Sequence, residues 1–118
     1  MDISKLTTNK KEQLAINPNT PVEALAELAK DDDYNVRSGV AWNPNTPVAI
    51  LSELAKDGDY GVRYEVAKNH NTPVEALAEI LQLELRGDFD KYILRLIFNH
   101  KNSTDAIRAI IRTVCPGV

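Results

Sequence analysis

The sequence predicts an all-α fold, an α-solenoid of about three tandem helix pairs with no β-sheet. Residues 17–42 and 43–68 form two gapless 26-residue blocks that agree at 18 positions, and further copies open at Asn69 and Asn99. Apolar residues within each block recur at helical spacing. Threonine–proline and aspartate–tyrosine pairs punctuate them where helices start. A fixed period of this length is the mark of a repeat architecture, in which one copy buries its apolar face only by stacking on the next.

The 118 residues are expected to form a single repeat domain, 1–118. Residues 1–16 read as an N-terminal half-repeat, because Leu14-Ala15 falls where Val40-Ala41 and Val66-Ala67 fall. Repeat 1 spans 17–42 and repeat 2 spans 43–68. Repeat 3 spans 69–98 and is extended, and 99–118 supplies a C-terminal capping helix.

Each block divides into a helix A and a helix B. Helix A is expected to start at Thr20, Thr46 and Thr72 as N-caps, with Pro21, Pro47 and Pro73 in the first helical position. Glu23 and Glu75 then complete capping boxes, which Ala49 breaks in repeat 2. Val22, Leu25, Leu28 and Ala29 mark its buried stripe, as do Val48, Leu51, Leu54 and Ala55. Helix B starts at the caps Asp33 and Asp59 and buries Val36, Val40 and Ala41, then Val62, Val66 and Ala67. Its two turns leave room for a tighter 3-10 helix.

Repeat 3 departs from this pattern. Aligning Asp88 with Asp33 and Asp59 puts Phe89 in the tyrosine column and Gly87 before it as a left-handed C-cap. The last helix opens on Asn102 as its cap, carries Ile107, Ile110, Ile111 and Val114, and ends at Pro116.

The block NPNTPxxxLxELAKDxDYxVRxxVA resembles the leucine-rich repeat variant family, a bacterial repeat. Repeats 1 and 2 match it closely, the first half of repeat 3 follows, and about two thirds of the chain is covered. The resemblance implies alternating α and 3-10 helices in a right-handed superhelix. Some members of that family hold a [4Fe–4S] centre on an N-terminal cysteine cluster. This chain has no cysteine before Cys115, so no cofactor is carried over. The Val36-Arg37 and Val62-Arg63 steps are also similar to those of HEAT repeats. Neither family implies one activity.

Composition narrows the function classes. Apolar residues make up 43% and charged residues 26%, as in ordinary globular domains. A net charge of −3 and a pI near 5.3 argue against nucleic acid and anionic membranes as partners. No apolar run nears the ~20 residues of a membrane span. The opening MDISKLTTNKKEQ lacks the apolar core of a signal peptide, so a cytoplasmic protein is expected.

Candidate chemistry reduces to structure at most positions. The asparagine column Asn17, Asn43, Asn69 and Asn99 is expected to bond backbone groups where helix B meets the next helix A. Asp31, Asp32, Asp33, Asp57 and Asp59 lack the spacing and closing glutamate of a calcium loop. His70 and His100 stand where repeats 1 and 2 have proline, too few for a metal site. Cys115 has no acid–base partner near it in sequence. No metal, cofactor, small-molecule substrate or enzymatic activity is expected.

Positions that differ between blocks point to a partner. The variable helix-B pairs are Ser38/Tyr64, Gly39/Glu65 and Trp42/Lys68. Tyrosine, tryptophan and arginine most often carry interface energy. The candidate partner-binding residues are therefore Trp42, Tyr64, Glu65, Arg63 and Arg37. The expected function is a non-catalytic protein–protein interaction module that binds along one solenoid face. One alternative is an inhibitor or immunity-type protein for a basic effector, suggested by charge and size. Another, against which the acidic pI stands, is a HEAT-like nucleic-acid-binding protein.

Overall fold

The structure, a computed structural model, describes residues 2–87 and 90–118. The chain opens on a short 3-10 helix, Ile3–Lys5, capped by the Asp2 side chain. Helix α1 covers Thr8–Ile16, α2 Val22–Leu28, α3 Tyr34–Trp42 and α4 Val48–Leu54. Then come α5 at Tyr60–Lys68, α6 at Val74–Leu85, α7 at Lys91–Asn99 and α8 at Asp105–Val114. Among the described residues there is no strand. Helix α1 packs on α3, α3 on α5 and α5 on α7, while α2 and α4 lean on the same helices from one side. The molecule is longer than it is wide, 48 × 24 × 17 Å.

The second helices, α3, α5 and α7, are α-helical through nine residues each. The expected 3-10 character does not occur there. The first helices α2 and α4 are the shorter ones, at seven residues. Their last turn tightens: the amides of Lys30 and Lys56 donate three residues back to the carbonyls of Glu27 and Glu53.

The caps of helix A also differ from expectation. Pro21, Pro47 and Pro73 are themselves the N-caps, with extended backbone and no side-chain cap bond. The threonines before them face the other way. The hydroxyls of Thr20, Thr46 and Thr72 donate at 2.6 Å to the carbonyls of Leu14, Val40 and Val66, in the preceding helix. Each of these carbonyls already accepts the amide of the asparagine that ends its helix, and the threonine hydroxyl takes its second lone pair. Glu23 and Glu75 consequently close no capping box.

The asparagines form the join between blocks. Asn43 Nδ2 donates to the carbonyls of Ala15 and Asn17, at 2.7 and 2.9 Å. Asn69 Nδ2 repeats this one block later on Ala41 and Asn43, at 2.8 and 3.1 Å. Each Oδ1 accepts the amide hydrogen two residues on, from Asn45 and Asn71. Asn71 Nδ2 in turn donates to Pro44 O at 2.8 Å. Both Asn43 and Asn69 are buried, so these bonds form out of reach of water.

Repeat 3 is resolved differently from the expected register. The cap of α7 is Asp90, whose side chain accepts from the Tyr92 amide at 2.7 Å. Asp88 and Phe89, to which the sequence alignment assigned the cap and tyrosine columns, lie outside the described residues. With Asp90 in register, His100 and not Asn99 occupies the asparagine column. Its Nε2 lies 2.8 Å from Asn69 O, and its Nδ1 accepts the Asn102 amide at 3.0 Å. The histidine thus performs both roles of the asparagine, as the tautomer protonated on Nε2. Thr104, not Asn102, caps α8. No glycine among the described residues has positive φ, so Gly87 is not a left-handed cap.

The core follows the recurring positions. Leu25, Leu28, Val40, Leu51, Leu54, Val66, Leu77 and Ile80 are all buried. The expected stripe fails at its first member: Val22 and Val48 remain about half exposed, at 50% and 51%. They occupy the first residue of a helix, beside the exposed cap. Ile50 takes a buried place instead, and in α7 Leu94 is buried while Tyr92 faces solvent. Gly39 permits close approach of α1 and α3, since a Cβ there would lie 2.9 Å from the Ala15 Cβ.

Two consequences are measurable by denaturant unfolding. Leu54→Ala, a buried large-to-small change, is expected to cost roughly 2–5 kcal/mol. Gly39→Ala improves helix propensity, yet it is expected to destabilise by about 1–3 kcal/mol through overpacking against α1. A stabilised Gly39→Ala protein would show that the α1–α3 contact yields freely.

Candidate interaction surface

Helices α1, α3, α5 and α7 present the same columns side by side, so each candidate residue can be placed by its column. The basic column comes first. Lys11 Nζ pairs with Asp31 at 2.7 Å. One block later Arg37 grips Asp57 with two nitrogens, at 2.8 and 3.2 Å. Its remaining Nη1 donates to the carbonyls of Asp31 and Asp32. Arg63 repeats this with Nη1 on Asp57 O at 2.8 Å and Nη2 on Glu84 at 3.2 Å. Each cation therefore reaches the acid of the following block, and the two arginines tie their own turn to it as well.

The acids serve the turns as well. Asp31 Oδ1 accepts the Asp33 amide and Asp57 Oδ1 accepts the Asp59 amide, both at 2.9 Å. The longer α6 carries the next acid one residue further along the chain. Glu84 takes the place there, with one oxygen toward Arg63 and the other 3.5 Å from the Asp90 amide.

The titrations reflect these contacts. Burial alone would raise the Asp31 carboxyl, but Lys11 and the Asp33 amide more than offset it and hold it below the usual carboxylate range. The bond to Asp31 raises Lys11, and the bond to Asp57 raises Arg37. Tyr60 also bridges blocks, its hydroxyl donating to Asp90 Oδ2 at 2.9 Å. Burial first, and that carboxylate second, push its pKa up.

Arg37 and Arg63 are therefore engaged in joining blocks. Their side chains are only 19% and 16% exposed, and neither lines the depressions that hold the other candidates. Those three do come together. Trp42, 51% exposed at the end of α3, shares a shallow depression of about 250 Å3 with Glu65, Lys68 and His70. Tyr64 lines a neighbouring depression of about 470 Å3 between α5 and α7. Lys68 and His70 border both.

The structure adds residues that the sequence reading did not select. Tyr92, 59% exposed, lines the larger depression with Arg95, Leu96 and Lys101. With Asp90 aligned to Asp33 and Asp59, Arg95 falls in the Tyr64 column and Leu96 in the Glu65 column. Both columns vary between blocks, which is the signal that would have found them.

A separate depression carries a different chemistry. Glu53, Glu75 and Glu79 line a depression of about 390 Å3 with Lys56, between α4 and α6. Among the described residues, no group of three or more His, Cys, Asp or Glu is placed to hold a metal ion. No described helix is long and apolar enough to cross a membrane. No protein-family model, no curated protein and no solved structure matches the chain.

The two kinds of candidate residue separate by stability. Arg37→Met strands the Asp57 carboxylate and removes four hydrogen bonds. It is expected to cost roughly 1–3 kcal/mol. Trp42→Ala, on the open surface, should stay within about 0.5 kcal/mol of the parent. Thermal unfolding of both variants checks this, and a Trp42→Ala protein as damaged as Arg37→Met would make Trp42 a packing residue.

Proposed function

We propose that this chain is a non-catalytic protein-interaction module of the leucine-rich repeat variant type. It is a right-handed α-solenoid of about three helix pairs, and it binds a partner protein along the face formed by α3, α5 and α7. The tandem blocks and the row of second helices support the architecture. One observation carries the function. Trp42 and Tyr92 stand more than half exposed, each lining one of two adjoining depressions, with Tyr64 half-buried in the larger beside Tyr92. Exposed aromatic side chains gathered in concave surface are what interfaces use as anchors. Arg37 and Arg63 contribute rigidity to this face by holding successive blocks in register.

A second reading rests on the acidic depression lined by Glu53, Glu75 and Glu79. A basic effector would seat there, and the chain would act as its inhibitor or immunity-type protein. Charge supplies encounter rate and specificity more than affinity, and this side lacks aromatic anchors, so the helix-B face is preferred.

A photo-crosslinking amino acid placed at Trp42, Tyr92, Glu53 or Glu79, one at a time, distinguishes the two in host cells. Crosslinks to one protein from positions 42 and 92 are expected. Crosslinks only from positions 53 and 79 would overturn the helix-B assignment in favour of the basic effector.

A further inference from the structure

Resting on the helix-B reading, we infer that the occupant of this face is an extended acidic segment of another protein. The larger depression between α5 and α7 is bordered by three cations, Lys68, Arg95 and Lys101, and no carboxylate lines it. In a chain of net charge −3 this is a local reversal of sign. None of the three takes part in an ion pair among the described residues. Cations elsewhere on this row, Lys11, Arg37 and Arg63, are each neutralised by an acid of the next block.

The cations are also steadied by aromatic faces. Lys68 Nζ lies 5.5 Å from the Tyr64 ring centroid, and the Arg95 guanidinium carbon 5.9 Å from that of Tyr92. Cations held over rings lose less freedom when they meet a carboxylate. Leu96 gives the depression an apolar contact. The occupant therefore carries carboxylates spaced by aromatic or aliphatic residues. A depression of about 470 Å3 takes a few side chains of an extended segment.

A single nucleic-acid strand is the rival occupant, because cations interleaved with aromatics also suit phosphates and bases. Glu65 disfavours it. This residue lies beside Lys68 in the adjoining depression, and its Oε2 is buried with no hydrogen-bond partner. A continuous phosphate backbone would be repelled on passing it. A peptide can place an uncharged residue beside it, because its charges are confined to side chains.

A random peptide display library, panned on the full chain, tests the inference, with a twelve-nucleotide thymidine strand as the competing probe. Enriched peptides are expected to be rich in Asp or Glu with interspersed aromatics. Their affinity should fall about tenfold or more in the Lys68→Ala/Arg95→Ala double variant. It should persist in the Glu53→Ala/Glu79→Ala variant. Basic or neutral consensus peptides, tighter binding of the thymidine strand, or no enrichment would each overturn it. So would acidic peptides indifferent to the Lys68/Arg95 change. Non-acidic peptides that lose binding with Trp42→Ala would sink the acidic partner alone and leave the helix-B face standing. Peptides indifferent to Trp42, Lys68 and Arg95 would remove both. Circular dichroism of each variant confirms that folding is unchanged, since all these residues but Glu79 are solvent-exposed.

Discussion

Asn43 and Asn69 each set an amide group where one helix ends and the next block covers it. The last carbonyls of a helix have no donor of their own, and a buried carbonyl without one costs on the order of 1–3 kcal/mol. Here the asparagine of each block supplies two donors to the block before it, while its oxygen takes an amide of its own turn. The threonines three residues on donate instead to the helix that their own asparagine ends, Thr46 to Val40 in α3 and Thr72 to Val66 in α5. Stacking of α1, α3 and α5 therefore leaves these helix ends satisfied, and the spacing between helices is set by short bonds of fixed geometry.

His100 shows that the requirement is chemical and not specific to asparagine. An imidazole offers one donor and one acceptor in the neutral form, and His100 directs them to Asn69 O and the Asn102 amide. It lacks the second donor hydrogen of an asparagine amide. The substitution falls at the join between α7 and α8. Glu84 is a parallel case. The longer α6 displaces the acid of the turn, and the extra methylene of glutamate restores its reach to both Arg63 and the Asp90 amide. The fit is looser, since Arg63 Nε is left buried without a partner.

These joins bear directly on where a partner can sit. The basic column is consumed internally, so Arg37 and Arg63 act on the proposed interface by fixing the block-to-block spacing that shapes it. The side chains left over are those that vary: Trp42, Tyr64, Lys68, Tyr92 and Arg95. They share a face because all belong to α3, α5 and α7, which pack in succession. Glu53, Glu75 and Glu79, on α4 and α6, line a separate depression that shares no residue with theirs.

The sequence by itself determined the helical class, the caps Asp33 and Asp59 and the buried leucines and valines. Periodic burial imposes a 3.6-residue spacing, and the tandem copies repeat it. It also located Trp42, Tyr64 and Glu65 through their variation. The backbone-bonding role of Asn43 and Asn69 was legible as well, but only the tertiary structure decided what the recurring threonines and arginines of the blocks do. Thr20 reads as an N-cap in the sequence, whereas the fold brings its hydroxyl to the Leu14 carbonyl six residues away. The arginine column is exposed or engaged according to which acid lies across from it, about twenty residues along the chain. The register of repeat 3 was beyond local pattern for the same reason. Asp88 and Asp90 are alike as caps in isolation, and what selects Asp90 is the position of Glu84 and Tyr60, both contributed by other helices.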